Sequence, residues 1–223
     1  YHDFFEKMLR PTADGFELNP DYFLPFGANQ GMEINDEGEM IVHRLYSDLF
    51  IKELGEPRVR HSEITKRDMD IAFGLQRVFE KYYMHLLHAL HKKVPTERIS
   101  MAGGCALNSV ANGKLLLETP FRETCIQPAA GDDGLALGAA LYVSNSILKE
   151  GRRWVMKNSY LGDEYSDSFI RSELEKYNLV FQQLNREELL EKTSEEIKNG
   201  NVVGWFQGRM EWGPRALGNR SIL

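Results

Sequence analysis

The chain has 223 residues, of which 42% are hydrophobic and 27% are charged, and its formal net charge is −6 at pH 7. This composition predicts a soluble globular protein and excludes a membrane-spanning one, since no apolar run is long enough to cross a bilayer. The acidic balance argues against a large phosphate-backbone footprint and leaves open a local basic pocket. The two cysteines, Cys105 and Cys125, lack a CxxC spacing, so we expect neither a disulfide framework nor a zinc site and place the protein in the reducing cytoplasm.

The first 63 residues have the least informative pattern. A short helix is predicted over residues 3–9, and the prolines and glycines behind it predict an irregular, insertion-like region. A long amphipathic helix is predicted next, over Lys66–Lys93, because apolar residues recur on one helical face. The residues of that face are Leu75, Val78, Phe79, Tyr82, Leu86 and Leu90.

The histidines give no convincing metal-binding pattern. Three of them follow one another at intervals of three in the predicted helix, and helix geometry explains this spacing better than metal ligation does. They are His85, His88 and His91. The other three, which are His2, His43 and His61, are isolated.

Two strand-turn-helix units follow the long helix. The first has a strand over Arg98–Met101 and a turn at Gly103 and Gly104, whose backbone can approach a ligand without an intervening side chain. The second has a strand over residues 124–127, the loop Gly131-Asp132-Asp133-Gly134 and an apolar helix over residues 135–148. The amides of the helix behind each turn would face an anion, and two acids in a glycine loop suit a hard cation.

Each turn also has a simpler interpretation. A diglycine is often only a tight strand-to-helix connection, and Asp132 could cap a helix instead of binding a metal. Together the two turns carry more weight, because both would lie at the carboxyl ends of neighbouring strands, where α/β sheets bind ligands. They predict a nucleotide site that handles phosphate and metal.

The composition becomes more polar after Gly151, which predicts a domain boundary near residue 150. Helices over Asp167–Lys176 and Arg186–Lys198, with strands over residues 179–183 and 202–206, predict a small α/β unit. A glycine-rich loop then carries Glu211 and three arginines, which are Arg209, Arg215 and Arg220. Three guanidiniums in such a loop suit phosphate binding, but a solvated basic loop paired with Glu211 is an equal alternative.

Three segments of the chain resemble the NodU/CmcH family of O-carbamoyltransferases. They are GGCALNSVANGKLL with QPAAGDDGLALGAAL between residues 99 and 143, YLGDEYS at residues 160–166, and GRMEWGPRALGNRSIL from Gly208. The resemblance implies an α/β fold, namely an actin-like ATPase (ASKHA, RNase H-like) half-domain followed by a small C-terminal α/β unit. Residues 1–150 would be the second half of the actin-like domain, and residues 151–223 a linker and the start of a YrdC-like domain. We therefore expect the chain to be a fragment and to be inactive alone.

The resemblance also implies a reaction. In this family a YrdC-like domain forms carbamoyl adenylate from carbamoyl phosphate and ATP, and an actin-like domain, similar to the tRNA threonylcarbamoyl transferases (TsaD-like), passes the carbamoyl group to a hydroxyl of a small-molecule acceptor. No nucleic acid or membrane partner is implied, and a homo-oligomer is compatible with the sequence.

The same resemblance implies the site residues. Contacts with the nucleotide or adenylate are implied for Gly103, Gly104, Asn108, Gly131 and Asp133, and contacts with carbamoyl phosphate for Arg209, Arg215 and Arg220. A divalent metal, expected to be iron(II) with magnesium as an alternative, would be bound by Asp132. The family's HxxxH-type histidine ligands are not visible here, so the other ligands and the general base would lie outside the chain.

Two other classes of function remain open. An actin-like nucleotide-binding module would bind the nucleotide without transfer chemistry, and a sugar or acetate kinase would transfer a phosphoryl group. The kinase alternative leaves the C-terminal motif unexplained. Transfer to a tRNA-bound threonine is disfavoured by the acidic charge and by the same motif.

Overall fold

The structure is a computed structural model that describes residues 1–24, 32–42 and 44–223, so His43 lies outside the described residues. The described residues form a mixed α/β protein of helices and small sheets, as the sequence predicts at this level. The helices are α1 (His2–Lys7), α2 (Asp48–Leu54), α3 (Lys66–Lys93), α4 (Ser109–Glu118), α5 (Leu135–Tyr142), α6 (Asp167–Lys176) and α7 (Arg186–Lys198). The strands are β1 (Leu9–Pro11), β2 (Phe16–Leu18), β3 (Met32–Ile34), β4 (Met40–Val42), β5 (Arg98–Met101), β6 (Glu123–Ile126), β7 (Gly204–Phe206) and β8 (Arg220–Ile222).

The strands pair two by two. The pairs β1–β2, β3–β4 and β7–β8 are antiparallel, and β5 pairs with β6. The described chain forms two compact units. The first contains Tyr1–Ile99 and Ser109–Thr124, and the second contains Ser100–Asn108 and Cys125–Leu223. The boundary predicted near residue 150 separates an actin-like half-domain from the linker to a YrdC-like domain, which is a different division from these two compact units, and it stays a prediction.

The first unit is organised by an aromatic cluster. Phe4 of α1 packs edge-to-face against Tyr22 and against Phe50 of α2, with ring centroids 5.6 and 5.2 Å apart. Phe4, Tyr22 and, on α3, Val78 and Tyr82 are buried together. The expectation of an irregular region over residues 1–63 is therefore wrong for the described residues, because three of the five buried residues of this cluster, Phe4, Phe5 and Tyr22, come from that region.

Helix α3 begins and ends at the predicted residues. It begins with a capping box, in which the side chains of Thr65 and Asp68 each accept a hydrogen bond from the other residue's main chain. The predicted apolar face is only partly correct, since Val78 and Tyr82 are buried but Leu75, Leu86 and Leu90 are exposed. The buried face is rotated toward Gly74, where the start of α1 packs so closely that a Cβ would lie 3.1 Å from Tyr1.

Polar contacts join α3 to α4. Glu80 of α3 is 7% exposed and forms an ion pair with Lys114 of α4. The hydrogen bond from Lys114 lowers the pKa of Glu80, although burial opposes this effect. The hydroxyl of Tyr83 also donates to Oδ1 of Asn112, at 2.7 Å. These contacts hold α4 by a buried charge as well as by apolar packing of Ala111 and Leu115.

The second unit contains α5, α6, α7 and the β7–β8 hairpin. Helix α5 begins at the predicted Leu135, and after Tyr142 it continues as a π-helical turn, Val143–Ile147. Helices α6 and α7 have the predicted bounds. The strand predicted over residues 179–183 is wrong, because this segment has no strand partner in the described chain and Val180 is fully exposed. The last predicted strand is shortened to β7.

Candidate functional site

The first glycine turn lies directly behind β5. Gly103 has φ +97°, a conformation that a residue with a Cβ adopts only with strain. The chain then forms a 3₁₀ turn, Gly104–Leu107, before α4 begins at Ser109. The order of strand, turn and helix is as predicted, but the 3₁₀ turn that begins at Gly104 lies between Gly103 and the first residue of α4 in the chain.

The second glycine loop has the same design. Behind β6 and Pro128 the chain forms a 3₁₀ turn, Asp132–Gly134, which leads into α5. Gly134 allows this because a Cβ at that position would overlap the carbonyl oxygen of Ala129. The side chains of Asp132 and Asp133 are exposed. The loop therefore presents two carboxylates on its outer surface.

A main-chain hydrogen bond joins the two loops. The amide of Gly103 donates to the carbonyl oxygen of Ala130, at 2.7 Å. A second main-chain hydrogen bond lies two residues earlier on the β5 side and three residues earlier on the β6 side, where the amide of Gln127 donates to the carbonyl oxygen of Met101, at 3.4 Å. The two turns are thus neighbours in space, as the sequence predicts.

A cavity of about 670 Å³ opens beside the two loops. Its apolar wall comes from α5 and the strand ends, and its charged groups are one acid, Asp132, and one base, Lys157. The volume is in the range of small-molecule sites. The polar or loop residues in the lining are Ser100, Gly103, Gln127, Gly131, Asp132, Gly134, Lys157, Asn158 and Ser159, and the larger apolar ones are Met101, Ile126, Leu135, Leu137, Leu141 and Met156.

The structure brings some of the predicted nucleotide contacts to this cavity. Gly103 and Gly131 line it, as does Asp132, the predicted metal ligand, whereas Gly104, Asn108 and Asp133 are in the same loops but outside the lining. Sequence reasoning did not single out Lys157. The signal that could have found it is its place three residues before Tyr160, where the family-like segment YLGDEYS begins.

The third component is the loop between β7 and β8, residues 207–219, which we call the C-terminal loop. Glu211 lies inside it and is 2% exposed. Its Oε1 accepts hydrogen bonds from the amides of Leu217, Asn219 and Arg220, at 2.8, 2.8 and 3.2 Å. The interpretation of Glu211 as a surface partner of the arginines is therefore wrong, because its carboxylate binds the main chain of its own loop. In the sequence Glu211 stands between two apolar residues, Met210 and Trp212, but such a position does not by itself distinguish a buried carboxylate from an exposed one.

The C-terminal loop packs against both glycine loops. Gly213, with φ +118°, lies so close to the second loop that a Cβ would be 2.7 Å from the carbonyl oxygen of Pro128. Nη2 of Arg215 donates to the carbonyl oxygen of Leu107 in the first loop, at 2.8 Å. The amide of Trp212 donates to the carbonyl oxygen of Ser159, which lines the cavity, at 2.6 Å. Three segments far apart in sequence thus meet at one place.

The three predicted phosphate-binding arginines are all exposed and lie outside the cavity lining. Arg215 is held against the first loop, and Nη2 of Arg220 donates to the carbonyl oxygen of Gly213, at 3.1 Å. The main chain of Arg209 is held by a hydrogen bond, in which its carbonyl oxygen accepts from Nδ2 of Asn219 at 2.8 Å. Arg215 thus contacts the first glycine loop, whereas the contacts of Arg209 and Arg220 are with the C-terminal loop itself.

The residues present do not by themselves assemble a metal centre. Within the described ranges, no group of three or more His, Cys, Asp or Glu side chains is arranged to hold a metal ion. Asp132 could supply one carboxylate. Of the helix histidines, His85 contacts the carbonyl oxygens of Thr12 and Gly15 through Nε2, at 2.9 and 3.1 Å, and His91 packs edge-to-face against Phe121.

The ionisation of Glu211 should control the C-terminal loop. Burial raises its pKa, but the hydrogen bonds from the main-chain amides outweigh burial and lower it from 4.5 to about 2. Because the pKa is lower in the folded chain, the carboxylate stabilises the loop above pH 4.5, and this contribution is lost as the pH falls toward 2. We expect the amide proton shifts of Leu217, Asn219 and Arg220 to titrate together with a midpoint near 2. A shared midpoint near 4.5 in the folded chain would contradict this assignment.

Comparison with protein-family models now identifies the class. Residues 33–141 match the model described as carbamoyltransferase N-terminus, and residues 194–223 match carbamoyltransferase C-terminus. Together the two matches cover more than half of the chain. The chain belongs to this carbamoyltransferase family.

Individual relatives agree with this assignment. The chain is 41% identical to the uncharacterized protein sll1178 of Synechocystis over 98% of its own length and 34% of the relative. It is 36% identical to the nodulation protein NolNO of Sinorhizobium fredii, over 87% of its own length and 29% of the relative. It is 30% identical to the 3'-hydroxymethylcephem-O-carbamoyltransferase of Streptomyces clavuligerus, over 74% of its own length and 30% of the relative. The resemblance to the NodU/CmcH family is confirmed.

The chain spans about a third of the length of the curated relatives it matches. The helices of the described chain also include none that combines the length and the apolar character needed to cross a bilayer.

Proposed function

We propose that the chain is part of an enzyme that transfers a carbamoyl group from carbamoyl phosphate, through an ATP-dependent carbamoyl adenylate, to a hydroxyl of a small-molecule acceptor. The observation that carries the proposal is the meeting of the C-terminal loop with both glycine loops, through Gly213 and Arg215. Carbamoyl phosphate, ATP, water and an alcohol would give a carbamate ester, AMP, pyrophosphate and phosphate. Such a reaction needs two anion sites and a shielded place for the adenylate.

The cavity is the proposed place of the adenylate. Its volume of about 670 Å³ suits a nucleotide-sized ligand, its apolar wall suits a base, and Lys157 suits a phosphate. Gly103 and Gly131 would allow the ligand to approach the main chain, with Gly104, Asn108 and Asp133 as proposed contacts around it. This arrangement supports, as a further part of the proposal, that the two strand-turn-helix units belong to an actin-like (ASKHA, RNase H-like) domain.

The C-terminal loop is the proposed site of carbamoyl phosphate. The amides of Leu217, Asn219 and Arg220 are already used by Glu211, so an anion would be bound by guanidiniums and not by the loop's main chain. Arg215 is the first candidate, since a planar guanidinium can bind a phosphate with two parallel hydrogen bonds. Arg209 and Arg220 are the proposed second contacts.

The proposal also includes a divalent metal ion. A metal, iron(II) or alternatively magnesium, could polarise the carbamoyl oxygen during transfer. Asp132 is proposed as one ligand, with the others and the general base outside these 223 residues. We therefore expect the 223 residues alone not to catalyse transfer.

The test uses the complete product of the gene that encodes this chain. It is incubated with ATP and ¹³C-labelled carbamoyl phosphate, and carbamoyl adenylate is measured by mass spectrometry. We expect Arg215→Ala to lower the initial rate roughly tenfold or more, because the loss of one charge-assisted pair costs about 1.5–3 kcal/mol. Arg215→Lys should recover little of the rate, since an ammonium cannot form the paired contact.

Arg10→Ala is the control, because this arginine is exposed and pairs with Glu17 within the β1–β2 hairpin. Its rate should equal that of the wild type. Nucleotide binding without adenylate would favour the nucleotide-binding module, and transfer of the γ-phosphate of ATP would favour a kinase. Either result would contradict the proposed function.

A further inference from the structure

Glu211 is an internal anion of the C-terminal loop. Three main-chain amides converge on its Oε1 from residues 217, 219 and 220, all within one short stretch. Converging amides in a glycine-rich loop are the arrangement that binds anions in many proteins. Here the chain supplies the anion itself, so the loop is ordered without a bound ligand.

The second carboxylate oxygen of Glu211 is in a different environment from the first. Oε2 of Glu211 is buried and has no hydrogen-bond partner among the described residues. A buried acceptor without a partner costs free energy, which an apolar side chain or an exposed glutamate would avoid. The hydrogen bonds to Oε1 are charge-assisted and are therefore about twice as strong as neutral ones. The feature that Glu211 contributes is thus an ionised carboxylate at this point of the loop.

The segment ordered by Glu211 also holds the loop's contacts with the two glycine loops. Between Glu211 and its first amide partner, Leu217, lie Gly213, which packs against Pro128, and Arg215, which donates to Leu107. Arg220, whose amide binds Glu211, donates through its guanidinium to the carbonyl oxygen of Gly213. The carboxylate therefore closes a ring of contacts around the residues that face the two glycine loops.

We propose that Glu211 is the positioning residue that orders the C-terminal loop for anion binding, by holding Arg215 against the first glycine loop before any ligand arrives. This inference rests on the proposed function, in which Arg215 binds carbamoyl phosphate. Glu211 touches no substrate in this proposal and acts through the loop. Without its charge the loop would have to be ordered by the ligand, and the affinity for the ligand would fall accordingly.

The experiment measures binding of carbamoyl phosphate to the complete gene product by calorimetry, and formation of carbamoyl adenylate on the same preparations. Glu211→Gln keeps the size and one acceptor oxygen but removes the charge. We expect it to raise the Kd for carbamoyl phosphate about tenfold or more and to accelerate hydrogen exchange at residues 217–220. Glu211→Asp keeps the charge but withdraws it by one methylene, and we expect a smaller effect in the same direction. It serves as the test if the glutamine variant does not fold.

Glu80→Gln is the matched control, because Glu80 is also a buried glutamate but bonds to Lys114. It should lower thermal stability and leave the Kd unchanged, which separates positioning from general destabilisation. Unchanged binding in the Glu211 variants, or no binding by the wild type, would overturn the inference. Binding that depends on Glu211 but gives no adenylate would support the inference and overturn the proposed function alone.

Discussion

Gly213→Ala is expected to lower the rate of carbamoyl adenylate formation roughly 100-fold or more. Two costs combine at this position. The φ of +118° is unfavourable for alanine by about 1–2 kcal/mol, and the new Cβ would lie 2.7 Å from the carbonyl oxygen of Pro128. Since that neighbour is main chain, the loop itself must move, which adds about 1–3 kcal/mol.

Gly218→Ala provides the matched control. Gly218 is in the same loop and has a similar φ of +104°, but nothing lies within 4 Å of its Cβ position. It carries the strain without the overlap, so we expect Gly213→Ala to be roughly 10- to 100-fold slower than Gly218→Ala in the same assay. Equal rates for the two variants would show that contact with the second glycine loop does not matter for the reaction.

Lys114→Met is expected to destabilise the first unit by about 2–4 kcal/mol. The substitution leaves the carboxylate of Glu80, whose side chain is 9% exposed, without its strongest partner. Breaking a fully buried ion pair costs about 3–5 kcal/mol, and the 33% exposure of Lys114 reduces this value because water can partly replace the ammonium. Urea unfolding should show a lower midpoint with an unchanged slope.

Two further variants distinguish the buried charge of Glu80 from an exposed one. Adding Glu80→Gln to Lys114→Met removes the buried charge and should restore most of the lost free energy of unfolding. Lys66→Met, which breaks an exposed pair with Asp70, should change it by about 0.5 kcal/mol or less. If Lys66→Met and Lys114→Met had equal effects, the Glu80 pair would be no more than a surface contact.

Local sequence signals predicted much of the fold. The bounds of α3, α6 and α7 were predictable because each begins with a side chain that caps the helix, Thr65, Ser166 and Asn185. Periodicity could not show which side of α3 is buried, because this depends on the packing of α1 at Gly74. It also could not exclude a strand over residues 179–183, since an apolar run becomes a strand only where a partner strand is available.

The candidate site was predictable in its parts and not in its assembly. The two glycine loops could be placed together because strand-turn-helix units bring turns to one edge. Nothing local indicated that the C-terminal loop would reach them through Gly213 and Arg215, since these contacts join residues far apart in sequence. Glu211 and Lys157 were missed for a related reason. A charged residue's burial, or its place in a cavity wall, is decided by the tertiary fold.

The close approach of Gly134 to the carbonyl oxygen of Ala129 has a consequence for the evolution of this loop. Every amino acid that a single nucleotide change can produce from a glycine codon carries a Cβ, and at this position any Cβ overlaps the main chain. Neutral drift therefore has no intermediate step through which residue 134 could pass. Residue 134 itself can change only if the turn into α5 is rebuilt in the same step.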